Sequence, residues 1–300
     1  MKNTARSVSC SDTLNFDLAQ QKGRRRFIKL SAAAMGLAAM PGSIAFAANK
    51  LTTPAAVGLQ LYTLRDMMTV SLPATLKLVA AVGYKELEFA GYFGHKASEV
   101  NTILRNEGLT APSGHIGLAE FDKGVNSVID HALEVGHQYV VIPYLTEEQR
   151  GTGIDVYKKL AERCNVIGEA CNKAGLQLAY HNHAFEFEMR DGQLPYDVLL
   201  NETDKNLMSM EMDLFWMFKA NKDPLSYFKQ HPGRFKLWHV KDMDEAGNFA
   251  DVGTGTIDFA PIFAQSALSG VEHRFVERDK TDDKLKTIQQ GYKAMSKLLA

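Results

Sequence analysis

No GxGxxG follows the first strand-like run of this 300-residue chain, which counts against a dinucleotide-binding fold. A surplus of one charge is missing too. With 34 basic and 35 acidic side chains, the chain has no electrostatic footprint for nucleic acid, and phosphorylated substrates are not favoured. Cysteine is scarce, with three in all. Cys164 and Cys171 lie seven apart in one predicted helix, so their Cα atoms stand roughly 10 Å apart at about 1.5 Å of rise per residue. That exceeds the roughly 7 Å reach of a disulfide, and two free, mostly buried thiols are expected. After Thr53 no linker, low-complexity stretch or second domain interrupts the chain.

What is present begins with an address. Gly23-Arg24-Arg25-Arg26-Phe27-Ile28-Lys29 has the pattern of a twin-arginine export motif. An Ala-rich apolar run over 30–40 follows, and then the small-x-small site Ala45-Phe46-Ala47. The apolar run is shorter than the about 20 residues that span a bilayer, so the segment reads as a cleaved signal peptide. The expectation is a periplasmic protein with no stable membrane anchor after cleavage. Residues 1–47 also remove Cys10 and carry seven basic and two acidic side chains. The remaining 253 residues hold 27 basic and 33 acidic groups, a net charge of −6 with neutral histidines.

That length matches one (β/α)8 barrel, typically about 250 residues. Short apolar runs predict strands at 57–62, 84–89, 109–115, 138–143, 176–181, 207–213, 234–240 and 272–277. Amphipathic stretches between them predict helices, among them 72–82, 125–135, 157–174 and 284–299. Gly83, Gly108, Gly136, Gly175 and Gly270 stand just before strands, where helix C-caps belong. Eight βα units in one chain predict an α/β fold of the (β/α)8 TIM-barrel type over residues 48–300. The fifth connection is long. The alternation Phe185-Glu186-Phe187-Glu188 and the turn pair Asp191-Gly192 predict a small hairpin there.

Four apolar runs end in donors: Leu178-Ala179-Tyr180-His181, Met210-Glu211-Met212-Asp213, Lys236-Leu237-Trp238-His239 and Phe275-Val276-Glu277. They are the predicted strands five to eight, contiguous around one side of the barrel. Strand C-termini are where such barrels build active sites. Two imidazoles and two carboxylates converging there suit a divalent Mn, Co, Zn or Fe ion. Glu211, two residues before Asp213, points the same way and is expected deeper, as a structural carboxylate. Met208, Met210 and Met212 alternate with it and are expected to pack outward. Asp258 is expected as an N-cap, with Pro261 in the first turn of the helix that follows.

Residues 55–300 resemble the xylose-isomerase-like TIM-barrel superfamily of sugar phosphate isomerases/epimerases. The resemblance is carried by Tyr180-His181-Asn182-His183-Ala184-Phe185-Glu186-Phe187, Met212-Asp213-Leu214-Phe215-Trp216, Trp238-His239-Val240-Lys241-Asp242 and Gly253-Thr254-Gly255-Thr256-Ile257-Asp258-Phe259. Gly58-Leu59-Gln60-Leu61-Tyr62-Thr63-Leu64-Arg65 fits the first strand of the family, and Ser113-Gly114-His115 its third. The resemblance implies one divalent metal held by His181, Asp213, His239 and Glu277, and a small sugar or keto-sugar as substrate.

One position departs from the family pattern. Sugar epimerases of this superfamily usually carry glutamate where His181 stands, paired with the strand-eight glutamate as acid and base. A metal-bound imidazole cannot easily shuttle protons, which puts two-glutamate epimerisation in doubt. Proton abstraction α to a carbonyl with one metal and one base remains. Relatives with the Tyr-His-Asn-His signature imply a narrower reaction on 3-keto-glycosides, in which proton loss at C2 is followed by elimination of the C1 aglycone. Glu277 and His183 are the candidate bases, His183 is also a candidate acid, and Lys241 is placed to neutralise an alkoxide. His115, Glu88, Tyr62, Gln60 and Trp216 are expected around the substrate, with Trp216 either a platform for a sugar ring or packing under its loop. Two other readings are a multi-zinc AP-endonuclease-like barrel, which the acidic balance opposes, and a non-catalytic sugar-binding barrel.

Overall fold

Residues whose side chains alternate between two apolar environments make strands buried on both faces, and a parallel barrel is the closed form of such a sheet. The computed structural model describes residues 56–300. The twin-arginine motif, the cleavage site, Cys10 and the expected start of the barrel domain at 48 lie outside them. Eight parallel strands close in sequence order. They are β1 (Gly58–Gln60), β2 (Glu86–Phe89), β3 (Thr110–His115), β4 (Tyr139–Ile142), β5 (Gln177–His181), β6 (Met208–Asp213), β7 (Leu237–Val240) and β8 (His273–Val276). The ring is shut by Gly58 pairing with Phe275 and Leu59 with Val276. The fold is therefore the (β/α)8 barrel that the alternation predicts. Among the described residues, no helix is long and apolar enough to cross a membrane.

The period of two sorts each strand's side chains. Leu59, Leu87, Val140, Leu178, Tyr180, Met208, Met210, Met212, Trp238 and Val276 join the large core between strands and helices. Inside the barrel the apolar cluster is small: Tyr139, Val141, Ala179, Leu237 and Phe275. Barrels of this type usually fill their interior with bulky branched residues. Here the layer toward the strand C-termini is polar instead, with Gln60, Glu88, His115, His181, Glu211, Asp213, His239 and Glu277 all buried or nearly so.

Gly58 makes room for the apolar plug. A Cβ there would lie 2.6 Å from both the Arg274 carbonyl oxygen and the Phe275 ring. Gly58→Ala must therefore displace strand β8 or the ring. It is expected to destabilise the protein by about 1–3 kcal/mol, read as a lower denaturant midpoint at an unchanged m-value.

The helices differ from the sequence reading only at their ends. The helix Arg65–Val82 starts earlier than 72 but breaks at Ser71 (φ −162°, ψ 103°). Ser71 Oγ accepts from the Ala74 amide at 3.3 Å, so Ser71 caps a fresh start ahead of Pro73. Helix Val125–Val135 coincides with its expected range, and Asp155–Lys173 and Lys284–Leu298 nearly so. All five cap glycines have positive φ. Cys164 and Cys171 are free and buried.

Two expectations need correction. Residues Phe185–Phe187 form a 3-10 turn, not a strand of a hairpin. The cause is Glu186, whose buried carboxylate accepts from Tyr180 Oη at 2.8 Å and from the His183 amide at 2.8 Å, folding the loop back onto β5. Only the turn part of the hairpin survives, as a single bridge between Arg190 and Gln193 around Asp191-Gly192. Likewise Asp258 stands one residue before the N-cap, which is Phe259, although its carboxylate still accepts from the Ala260 amide at 3.1 Å. Pro261 lies in the first turn of that helix, Ala260–Phe263.

Candidate metal centre

His181 ends β5 and Asp213 ends β6, while His239 lies one residue from the end of β7 and Glu277 directly follows β8. Parallel register sets Asp213 beside His239 and His239 beside Phe275, and the Glu277 amide continues the ladder to the Val240 carbonyl at 3.2 Å. One donor atom from each of the four side chains falls within 4.8 Å of the others, and all four residues are buried. His181 Nε2 is 3.3 Å and His239 Nδ1 is 3.7 Å from Asp213 Oδ2.

The surrounding hydrogen bonds turn the lone pairs inward. His181 Nδ1 lies 3.0 Å from the Pro143 carbonyl oxygen; that bond puts the proton on Nδ1 and leaves Nε2 as a free donor to a cation. His239 Nε2 lies 2.6 Å from Glu88 Oε2, which puts the proton on Nε2. His239 Nδ1 then has no hydrogen-bond partner in a fully buried residue, although Glu277 Oε2 is 2.9 Å away. Burial opposes a charge on His239, but Glu211, Glu277 and Glu88 outweigh it and raise its pKa, so without a metal a proton on Nδ1 faces Glu277, and a metal ion would take that proton's place. Asp213 is held by the Trp216 amide on Oδ1 and by Asn182 on its backbone amide, each at 3.0 Å, so Oδ2 is left for a ligand. Two imidazoles and two carboxylates thus fit a divalent transition metal.

Lys241 Nζ reaches into the same cluster, 3.1 Å from Glu277 Oε2, 3.4 Å from Asp213 Oδ2 and 2.6 Å from Asp279 Oδ1. Burial alone would lower the pKa of its ammonium, but these carboxylates outweigh burial and raise it. Glu277 shows the converse: burial opposes its charge, yet Lys241 and His239 hold it below the usual carboxylate range. His183 is different. Burial, with the neighbouring His181 and Lys241, pushes its imidazole down to about 2, and its Nδ1 has no partner.

Beneath the four ligands lies a second polar layer. Glu88, His115, Glu211 and His239 also bring donor atoms within 4.8 Å of one another. Glu88 accepts from Gln60 at 2.7 Å and from Ser113 as well as from His239. His115 Nε2 is 2.8 Å from Glu211 Oε2. Burial works against a charged His115, but Glu88 and Glu211 override it and raise its pKa to about 9. Glu88 thereby fixes the orientation of the His239 ring. Glu88→Gln, which loses the acceptor charge facing His239, is expected to weaken metal affinity about 10–100-fold, measured by titration of metal-stripped protein.

The centre opens to a cleft of about 490 Å³, lined among others by Tyr62, His115, Tyr144, His181, His183, Lys241, Glu277 and Asp279. It sits at the C-terminal ends of the strands. Residues 76–297 match the Xylose isomerase-like TIM barrel family. The chain belongs to that family.

Within it, a sugar phosphate isomerase/epimerase from Parabacteroides distasonis superposes with a TM-score of 0.70 at 25% identity, covering 85% of this chain and 97% of that one. An inosose dehydratase of Clostridium perfringens is 29% identical over an alignment 125 residues long that covers 36% of this chain. The match spans 41% of that relative's own length, less than half of it. A structure of the IOLI protein with a bound zinc atom shares the fold at a TM-score of 0.64 and 14% identity, over 81% of this chain and 98% of that one.

The barrel of this xylose isomerase-like chain gathers His181, Asp213, His239 and Glu277 at one point, and sets His183, Lys241, His115 and Tyr62 along the cleft. It does not place Gln60 and Glu88 there. Both are fully buried one layer below, because strand period two turns them inward beneath His239. Trp216 packs beside His183, Phe215 and Phe249, in a separate depression with Lys219 and Lys280. Asp279 and Tyr144 escaped sequence reasoning. Asp279 lies two residues past Glu277, a spacing that marks the same side of an extended chain, whereas nothing local marks Tyr144.

Proposed function

We propose that this protein removes the proton α to the ketone of a keto-sugar and then eliminates a β-leaving group, so that it is a metal-dependent lyase acting on 3-keto-glycosides. The observation that carries the reading is the convergence of two imidazoles and two carboxylates beneath a cleft that also holds His183 and Lys241. A divalent ion held by His181, Asp213, His239 and Glu277 would supply stabilisation of the charge that develops on the enolate oxygen.

The chain's own residues account for the rest. His183 lines the cleft beside the ligands; burial and the neighbouring cations keep it neutral, and it takes the C2 proton as negative charge develops on the enolate beside it and raises its basicity. As the C1–O bond breaks and C1=C2 forms, the same proton passes to the departing oxygen. Glu277 is the second candidate base. Lys241, held by three carboxylates, keeps a positive charge next to the reacting carbonyl.

Elimination is favoured over epimerisation because β5 ends in His181. No second glutamate faces Glu277 among the cleft residues described to reprotonate the opposite face. The partial similarity to an inosose dehydratase, a name that denotes loss of water from a cyclic polyol ketone, supports the same class.

The test is incubation of metal-loaded protein with a 3-keto-glycoside in deuterated water, followed by NMR. Release of aglycone with loss of the C2 proton signal is expected. Deuterium at C2 with no aglycone released points instead to isomerase or epimerase chemistry, and no exchange in protein shown to hold metal overturns enolisation.

A further inference from the structure

The metal cleft does not end at its own wall. A second hollow of about 410 Å³ adjoins it and shares Gly91, His115 and Gly117 with it. Gly117 and Gly91 leave the passage open. A Cβ built on either would meet nothing within 4 Å, so both glycines border free space and not packed side chains. The far hollow is lined by apolar Ile116 and Val128, the ring of Tyr92, and polar Ser127, Lys123 and His131. His131 Nε2 is buried with no hydrogen-bond partner. Apolar patches beside unmet hydrogen-bonding groups suit the two kinds of surface on a sugar ring, its C–H face and its hydroxyl rim. At the near mouth, Tyr62 and Tyr144 are large rings left 41% and 44% exposed, which suits stacking on the first ring.

We propose that the cleft is bipartite and takes a disaccharide-like glycoside, with the keto-sugar over the metal ligands and its leaving group, a second sugar ring, in the hollow between Gly117 and His131. The inference rests on the lyase reading, since it gives the expelled C1 group its own seat. The hydroxyl of Ser127 and the imidazole of His131 bind that second ring. On elimination the C2 proton goes to the oxygen of the departing sugar, which leaves as the free alcohol, so no co-reactant is needed.

Two substitutions narrow this path without disturbing the core. Gly117 has φ −59° and ψ 142°, a conformation open to any L residue, so Gly117→Leu puts a side chain into the passage at no backbone cost. Ser127 is an exposed position of helix Val125–Val135, and Ser127→Trp fills the far hollow.

Metal-loaded His183→Ala protein, which is expected to keep its metal and turn over slowly, is titrated with a methyl 3-keto-hexoside and with the matching 3-keto-disaccharide, alone and combined with each substitution, and saturation-transfer NMR reads contact at the second ring. The disaccharide is expected to bind at least about 10-fold tighter, an increment of about 1.4 kcal/mol, with saturation of its second ring. Each variant is expected to erase most of that preference. Equal affinity for the two ligands, a second ring that receives no saturation, or a preference that survives both substitutions overturns the bipartite cleft. Binding of neither ligand, with metal present, contradicts the lyase reading itself.

Discussion

His239→Ala is expected to leave the protein folded but unable to retain the proposed metal, and to lower the proposed turnover of a 3-keto-glycoside by at least about 10³-fold, roughly 4 kcal/mol of transition-state stabilisation. His239 is the hinge of two networks. Its Nδ1 is the buried nitrogen without a hydrogen-bond partner in the ligand set, and its Nε2 is tied to Glu88 at 2.6 Å. Removing the ring deletes one of four donors. It also takes one hydrogen-bond partner from buried Glu88, which keeps Gln60, Ser113 and His115. Elemental analysis of wild type and variant, beside a thermal unfolding scan, separates metal loss from unfolding. Full metal content in the variant removes His239 from the ligand set.

His183→Ala has a different signature. Metal is expected to stay bound, because the His183 side chain is outside the group of four donors and only packs beside His181, with ring centroids 4.9 Å apart. Activity is expected to fall about 10²–10⁴-fold, the range lost with a general acid–base group. The loss is expected in kcat, with KM changed little, because the proton moves only in the transition state. Single-turnover kinetics on metal-saturated variant measure it. A variant that keeps its kcat transfers the base to Glu277, the other candidate at hand. The packing around His183 supports a fixed pose: its ring stacks on Phe185 at 10° and meets Tyr144 edge-on.

The sequence showed the barrel and the donor set because both follow from period two on a buried strand. His181, Asp213, His239 and Glu277 close four neighbouring strands, and strand direction alone carries them to one face. It misplaced Gln60 and Glu88 because alternation says that a side chain points inward, not at what depth. Depth comes from the stagger between strands, which pairs His181 with Glu211 and Asp213 with His239. The strand expected at Phe185–Phe187 failed for another reason. The Phe-Glu alternation there reports a carboxylate captured by Tyr180 and the His183 amide, a tertiary bond that no local pattern records. Asp279 lies 2.6 Å from Lys241 Nζ and lines the cleft; its spacing of two from Glu277 is in the sequence, but its partner Lys241 comes from a different strand end and is brought to it only by the fold.

We infer that His181, Asp213, His239 and Glu277 hold one metal ion. Purified protein, stripped and then incubated in turn with Mn, Co and Zn, is passed through a desalting column and its metal content determined. About one equivalent of at least one of these ions per chain is expected, reduced to background in an Asp213→Ala protein prepared alongside. Background metal in the wild-type protein after all three incubations, with the fold intact, would contradict it.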